Sequence, residues 1–218
     1  MAGQRELHDH FFKEAKRNGF RSRAAYKLSE IDEKRKIFSK GDTVLDLGAA
    51  PGSWLQVASK RVGKKGFVIG VDLQEIGAFD DTQIHTLVCD VNQLEIEIMR
   101  EFLPRDTQFF DVIMSDMAPK TTGNRTIDHH GSMRLCHRAV DLSATLLKPD
   151  GHLVMKLLEG EAYPELLSRA GECFEIAKGF KPKASRAIST ELFLICKHRK
   201  QHMPVPEQVS PTPPTGGW

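Results

Sequence analysis

The sequence predicts an α/β fold in which helices cover both faces of a seven-stranded, mostly parallel sheet. Short apolar, β-branched segments alternate along the chain with segments of helical periodicity, and this alternation is typical of consecutive strand–helix–strand units. The first strand leads directly into a glycine-containing turn and then into a helix. The last two strand-like segments have no helix between them, so we expect them to pair antiparallel.

The elements can be assigned in order along the chain. The first helix has Ala24, Leu28 and Ile31 on one face, and it follows Gly19 and Ser22, which suit a helix start. A Lys-Pro-Asp-Gly sequence at 148–151 predicts a sharp turn before the fifth strand. The predicted strands are 43–47, 66–71, 84–89, 110–115, 151–157, 174–178 and 192–196, and the predicted helices are 23–36, a segment from Ser53, 94–103 and 132–147.

The length of 218 residues suits one domain with short extensions. Residues 1–40 are predicted to form a basic N-terminal extension and helix that belong to this domain, and residues 41–200 form its α/β body. Residues 201–218 are rich in proline and poor in apolar side chains, so we expect a disordered tail.

The most informative local feature is the turn after the first strand. Gly48 and Gly52 are separated by three residues, with Pro51 between them. A strand–turn–helix unit of this kind lets a ligand approach the backbone at the carboxyl end of a parallel strand. The spacing differs from the G-x-G-x-x-G pattern of NAD and FAD sites and therefore favours another nucleoside cofactor. The alternative is a turn that only connects a strand to a helix.

Acidic residues end the next three predicted strands. Asp72 lies 24 positions after Gly48, near the spacing at which a carboxylate binds a ribose diol. Asp90, followed by Val91, can accept a hydrogen bond from an exocyclic amine such as that of adenine, and Asp116 ends the fourth strand. For Asp72, the alternative is a loop aspartate that caps a helix.

Basic charge is concentrated at the two ends of the predicted domain. Residues 1–40 contain 11 Lys/Arg and 6 Asp/Glu, residues 178–200 contain 7 and 1, and the segment between them contains 13 and 21. If both ends lie on one face, they form a positive strip that attracts phosphates. Ordinary solvated surface lysines are the alternative.

Several classes of protein are disfavoured by composition. No apolar segment approaches the roughly 20 residues that span a bilayer, and the first residues lack an apolar signal region. Four scattered cysteines without C-x-x-C spacing indicate buried, reduced thiols. His129 and His130 have no zinc-ligand spacing around them, so we expect exposed or helix-capping histidines and no metal. A cytoplasmic monomer without membrane contact is expected.

Two motifs give the chain a family resemblance. The runs Asp46–Trp54 (DLGAAPGSW) and Ser115–Pro119 (SDMAP) resemble the FtsJ/RrmJ (RlmE) family of S-adenosylmethionine-dependent ribosomal RNA 2'-O-methyltransferases, and the likeness extends over residues 22–191. It implies the Rossmann-like seven-stranded methyltransferase fold. Two departures are Ser53, where many members have glycine, and the loop 120–125, which leaves the target nucleotide less defined than the chemistry.

The resemblance also implies roles for individual residues. Lys156 would act as the base, Asp116 would orient it, Lys27 would hold Glu191, the ribose or a phosphate, and Glu191 would fix one or both lysines. For Lys156, Lys27 and Glu191 the alternatives are a lysine reaching solvent, a helix-surface charge and a strand-end acid. The expected cofactor residues are Gly48, Gly52, Trp54, Asp72, Asp90, Val91 and Asp116; the expected RNA contacts are Arg21, Arg23, Lys181, Lys183 and Arg186. An ordinary core tryptophan is the alternative for Trp54.

The expected activity is methyl transfer from S-adenosylmethionine to a ribose 2'-hydroxyl of large-subunit (23S) ribosomal RNA. The family precedent favours a uridine in the peptidyl-transferase region, with the large ribosomal subunit as partner. Two alternatives stay open: methylation of another RNA, such as tRNA or a cap, and a catalytically silent RNA-binding protein of the same fold. The two basic ends disfavour a protein or small-molecule substrate.

Overall fold

A seven-stranded sheet forms the centre of the computed structural model, which describes residues 11–94, 96–104, 107–185 and 189–203. The strands are β1 (Thr43–Leu47), β2 (Phe67–Asp72), β3 (Ile84–Val88), β4 (Phe110–Ser115), β5 (Leu147–Leu158), β6 (Phe174–Phe180) and β7 (Glu191–Arg199). The helices are α1 (residues 11–17), α2 (Ala24–Arg35), α3 (Ser53–Val62), α4 (Ile96–Phe102), α5 (Arg125–Leu146) and α6 (Tyr163–Cys173).

The strand order is β3-β2-β1-β4-β5-β7-β6. Strands β1 to β5 are parallel to their neighbours, whereas β7 is antiparallel to both β5 and β6. The predicted fold class is confirmed, including the antiparallel end. The chain builds outward from β1 to β3 and then returns to β4 beside β1. The carboxyl edge between β1 and β4 is therefore the switch point where ligands bind in open α/β sheets.

The core lies in two layers, one on each face of the sheet. On one face, apolar residues of α4, α5 and α6 form one cluster with Leu45 and Leu47 of β1; on the other, residues of α2 and α3 form a cluster with Val44. All five residues of β1 are buried, because a central strand is covered from both sides. Among the described residues, no helix is both long and apolar enough to cross a bilayer.

Three helices differ from the sequence prediction, and one of them, α1, was not predicted. Helix α5 begins at Arg125 rather than at 132, because the Asn124 side chain accepts hydrogen bonds from the backbone N–H groups of Thr126 and Ile127. The polar first turns of α5 carry no apolar periodicity that would have shown this start. Helix α6 was not predicted either; it has Pro164 in its first turn and buries only a narrow face around Leu166.

The predicted turn at 148–151 lies inside β5. Phe110 pairs with Leu147 and Val112 pairs with His152, so four residues of β5 bulge out opposite the single residue Asp111. Asp150, in the bulge, has a left-handed φ of 67°. The strand therefore begins four residues before the predicted position.

Candidate active site

The turn after β1 requires glycine at two positions. Gly48 and Gly52 have φ values of 76° and 100°, a region that side chains other than glycine rarely adopt. A Cβ at Gly48 would lie 2.5 Å from Met117 Cγ, and one at Gly52 would lie 2.5 Å from Phe79 Cζ. The N–H groups of Gly48 and Ala49 donate to Val71 O, which holds the turn against the end of β2.

Asp72, at the end of β2, binds the glycine turn. One carboxylate oxygen accepts a hydrogen bond from the Ala50 N–H at 2.9 Å, and the other accepts from the Gln74 N–H at 2.9 Å. Each oxygen retains acceptor capacity for a ligand, since a carboxylate offers about four lone-pair sites. Asp72 therefore both fixes the turn and borders the space beside it.

Asp90 and Val91 follow β3 and form a smaller turn. Asp90 Oδ1 accepts hydrogen bonds from the N–H and side-chain amide of Asn92, at 2.9 and 3.0 Å. Val91 is buried, and its carbonyl accepts from Arg138 Nε at 2.9 Å. Arg138 on α5 thus holds this turn against the domain.

Asp46, inside β1, is a site residue that the sequence analysis did not assign. Its side chain is fully buried, and neither carboxylate oxygen has a hydrogen-bond partner. Burial, and then the negative charges of Asp116 and Asp72, raise the pKa of Asp46 well above its ordinary value. A single acid within the apolar strand Thr43–Leu47, two residues before the glycine turn, was the available signal.

Lys156 lies on β5 and faces Asp116, which follows β4. Its Nζ donates a hydrogen bond to the Asp116 backbone oxygen at 2.5 Å and lies 3.0 Å from Asp116 Oδ1. The second contact is an ion pair whose geometry does not make a hydrogen bond, since Oδ1 has no hydrogen-bond partner. The neighbouring parallel strands thus hold the amino group beside the glycine turn, two residues before β5 ends.

Lys27 on α2 and Glu191 at the start of β7 form a second pair. Lys27 Nζ lies 2.7 Å from both carboxylate oxygens, and the two side chains are only 9% and 14% exposed. Ser185 Oγ also donates to Glu191 at 2.8 Å. Burial raises the pKa of Glu191, but the attraction of Lys27 and these hydrogen bonds outweigh it, so the pKa is lowered overall.

The two pairs share one face of the sheet. Lys156 is paired in register with Phe193, and Glu191 is two residues before Phe193 on β7, so all three side chains lie on the same side. Lys27 Nζ is 5.9 Å from the centre of the Phe193 ring. The structure therefore brings together the four residues that the family resemblance implied.

Trp54 lies in the core. It is 2% exposed, its indole N–H donates to Ala24 O at 2.9 Å, and its ring centre is 5.8 Å from that of Phe193. This geometry favours the alternative of a core tryptophan, which joins α3 to α2 and β7.

The basic ends of the chain meet along α2. The Lys183 N–H donates to Glu30, and Lys197 Nζ donates to the carbonyls of Arg35 and Lys36 at the end of α2. Lys181 and Lys183 are exposed, although Lys181 Nζ also donates to Ser189 O. Arg21 and Arg23 are half-buried, and Arg186 lies outside the described residues.

His129 is buried rather than exposed. Its Nδ1–H donates to Leu158 O at 2.7 Å, and its Nε2 accepts from the Ala162 N–H at 3.0 Å. The expectation of an exposed side chain is wrong for His129, because its ring packs against Gly160 and accepts the N–H of Ala162 at the start of α6. His130 is exposed, as predicted. Across the part of the chain that the structure describes, no group of three His, Cys, Asp or Glu side chains could hold a metal ion.

Comparisons with known proteins identify a family and named relatives. Residues 20–199 match the family model described as FtsJ-like methyltransferase. A Bdellovibrio bacteriovorus protein named ribosomal RNA large subunit methyltransferase E is 43% identical over 195 residues, which cover 88% of this chain and 97% of that protein. A protein of the same name from Acinetobacter baylyi is 43% identical, with 89% of each covered.

Solved structures give the same result. The crystal structure of a Plasmodium falciparum ribosomal RNA methyltransferase is 28% identical, with a TM-score of 0.73 over 83% of this chain and 98% of that one. Aeropyrum pernix fibrillarin, crystallised with natively bound S-adenosyl-L-methionine, is 17% identical, with a TM-score of 0.56 over 79% and 75%. The second likeness concerns the fold alone.

Proposed function

The chain belongs to the FtsJ-like methyltransferase family, and we propose that it transfers a methyl group from S-adenosylmethionine to a ribose 2'-hydroxyl of large-subunit ribosomal RNA. A uridine in the peptidyl-transferase region is the proposed target. The observation that carries the reaction type is the placement of Lys156 against Asp116, directly beside the glycine turn. A lysine at that position can take a hydroxyl proton when its amino group is neutral.

The cofactor is S-adenosylmethionine, as the family shows, and the residues of the switch point suit it. The two glycine positions keep the turn free of side chains, and Asp72 and Asp90 suit the ribose and the adenine amine. Asp46 has two buried oxygens without a partner, which suits a cationic or hydrogen-bond-donating group. When bound, the cofactor supplies an electrophilic methyl group on a positively charged sulfur.

Lys156 is the proposed base. A neutral lysine amine has two N–H bonds and one lone pair. The Asp116 backbone oxygen accepts one N–H group, and Asp116 Oδ1 lies 3.0 Å from Nζ. Because both contacts lie on one side of the amine, its lone pair can face a hydroxyl on the other side. Fixing the amine in this way contributes through orientation as well as through basicity.

Lys27 and Glu191 are proposed to place the ribose. Glu191 neutralises Lys27 and holds its ammonium beside the sheet face that carries Lys156. An ammonium has three N–H donors, so Lys27 retains capacity for a ribose or phosphate oxygen. Ser185 Oγ donates to Glu191 Oε1 and so helps to hold the carboxylate in place.

The RNA substrate is supported by the relatives and by charge. Both relatives described above are named as large-subunit ribosomal RNA methyltransferases. The two basic segments meet along α2, next to Lys27. We propose that Arg21, Arg23, Lys181, Lys183 and Arg186 contact the RNA backbone, so binding is expected to weaken steeply with salt.

Methyl transfer to defined RNAs tests this function. Large ribosomal subunits from cells lacking the protein, naked 23S RNA, small subunits and tRNA are incubated with labelled S-adenosylmethionine. The label is then mapped by resistance of the methylated ribose to alkaline cleavage. We expect one labelled ribose in the large-subunit RNA and none with Lys156→Ala.

The alternatives predict other outcomes of the same experiment. Label in tRNA would replace the proposed substrate, as would label in a capped RNA offered in a parallel reaction, and label on a base would overturn ribose chemistry. RNA binding without transfer to any of these RNAs would indicate the silent RNA-binding protein. An otherwise identical RNA with a 2'-deoxy target nucleotide is the chemical control and is expected to accept no label.

A further inference from the structure

Arg21 lies in the basic N-terminal segment, yet its guanidinium group contacts the glycine turn and the loop after β2. Nη1 donates to Pro51 O in the glycine turn at 3.0 Å, and Nη2 donates to Ala78 O at 2.5 Å. The guanidinium carbon lies 3.6 Å from the centre of the Phe79 ring. One side chain therefore joins the glycine turn to the loop 73–79, which follows Asp72.

The contacts around Arg21 are close on every side. A Cβ at Gly52 would lie 2.5 Å from Phe79 Cζ and 3.1 Å from Arg21 Nη1, so the ring and the guanidinium pack directly on the turn. The Arg21 N–H also donates to Gln56 Oε1 on α3, and Gln56 in turn donates to Gly19 O. The backbone around Arg21 is thus tied to the helix that the turn begins.

We propose that Arg21 is a positioning residue for the S-adenosylmethionine site, in addition to any contact it makes with RNA. By holding the loop 73–79 against Pro51 and Gly52, it keeps Asp72 and the glycine turn at a fixed separation before the cofactor binds. The inference rests on the proposed placement of the cofactor at this turn. It predicts that Arg21 affects cofactor affinity when no RNA is present.

Lysine cannot replace arginine in this arrangement. It preserves the positive charge and therefore most of the long-range attraction to RNA, but it lacks the planar fork and the stacking surface. Phe79 carries no charge, so a change there leaves the attraction to phosphates unaltered. The pair of variants Arg21→Lys and Phe79→Leu therefore separates positioning from RNA electrostatics.

The test is calorimetric titration of S-adenosylmethionine into the full chain without RNA. Arg21→Lys is expected to raise Kd about 5- to 20-fold, the scale of a single ordinary hydrogen bond, because Arg21 acts on the cofactor only through the loop and the turn. Phe79→Leu is expected to give a similar loss, and the double variant little more than either alone, because both act through one contact. Arg17→Gln, an exposed arginine on α1, is the matched control and is expected to bind normally.

Steady-state kinetics at saturating RNA give a readout that general destabilisation would not reproduce. Arg21→Lys is expected to raise KM for S-adenosylmethionine and to leave kcat unchanged. Wild-type cofactor affinity in Arg21→Lys, or additive losses in the double variant, would overturn the inference. Asp72→Ala separates this from the site itself: if that variant also binds normally, the cofactor placement is wrong, not only the role of Arg21.

Discussion

The acids at the carboxyl edge of the sheet differ between its two halves. In the first half, β1 to β3, they accept hydrogen bonds from backbone N–H groups or have no partner. In the second half, β4, β5 and β7, they lie beside lysines. Asp72 and Asp90 accept from nearby N–H groups, and Asp46 is buried without a partner. Asp116 lies against Lys156, and Glu191 is paired with Lys27. The same residue types are thus placed in opposite electrostatic surroundings.

Under the proposed function, this difference separates cofactor binding from the chemical step. The first half keeps negative charge that a ligand can complement, and S-adenosylmethionine carries positive charge. The second half pairs two amino groups with carboxylates, and we propose that these amino groups contact the hydroxyl and a phosphate of the substrate. Variants in the two halves are therefore expected to affect different measurements, cofactor affinity in one and transfer rate or pair stability in the other.

The largest effect is expected from Lys156. Lys156→Ala removes the proposed base and is expected to lower single-turnover transfer by about 10²- to 10⁴-fold, the usual contribution of a positioned acid–base group. Cofactor affinity by calorimetry is expected to be unchanged. Lys156→Arg is expected to be equally slow, because guanidinium stays protonated.

Lys64, exposed in the connection before β2, is the control for this variant, since the amino ends of the strands lie opposite the site. Lys64→Ala is expected to react normally. If Lys156→Ala transferred methyl groups at the rate of Lys64→Ala, the division of roles between the two halves would fail, and orientation alone would have to explain the reaction.

The next effect concerns the nearly buried Lys27–Glu191 pair. Lys27→Ala leaves Glu191 without its cation and is expected to lower the free energy of unfolding by about 2–4 kcal/mol. Because the pKa of Glu191 is lowered in the folded state, this stability is present above the ordinary glutamate pKa and is lost as pH falls through the lowered pKa. Urea denaturation at several pH values measures it.

A double variant sharpens the interpretation of this pair. Lys27→Met with Glu191→Gln removes both charges and is expected to recover most of the lost stability, while methyl transfer stays impaired. Recovery of activity together with stability would mean that the pair only supports the fold and has no part in placing the substrate.

A smaller effect is expected in the first half. Asp72→Ala removes the carboxylate that borders the glycine turn and is expected to weaken cofactor binding by about 10- to 150-fold, which corresponds to about 1.5–3 kcal/mol. Glu75→Ala, an exposed acid in the following loop, is expected to bind normally in the same titration. Equal affinity of the two variants would remove Asp72 from the site.

The smallest effect is a pH dependence from Asp46. Since its folded-state pKa is raised, the folded protein holds a proton that the unfolded chain has released, and stability falls as pH rises from about 4 toward the folded pKa. The expected slope is at most about 1.4 kcal/mol per pH unit. Asp46→Asn is expected to flatten this part of the stability curve. An unchanged slope would contradict a raised pKa of Asp46 as its cause.

The fold class and the position of the switch point could be predicted from the residues alone. The alternation of strand and helix patterns, the spacing of Gly48 and Gly52, and the acids after successive strands are local features. These features are visible in the sequence because a central strand is covered on both faces and therefore needs an apolar run. All five residues of β1 are buried. Glu191 at the start of β7 was assigned from the family resemblance and not from such a local pattern.

Only the tertiary structure decided which partners these side chains meet. Lys27 and Glu191 are 164 residues apart in the chain, and Arg21 reaches the carbonyl of Ala78, 57 residues away. The orphaned carboxylate of Asp46 depends on packing from both faces of the sheet. Such contacts depend on how segments far apart in the chain pack against each other. A local pattern of residues does not specify that packing.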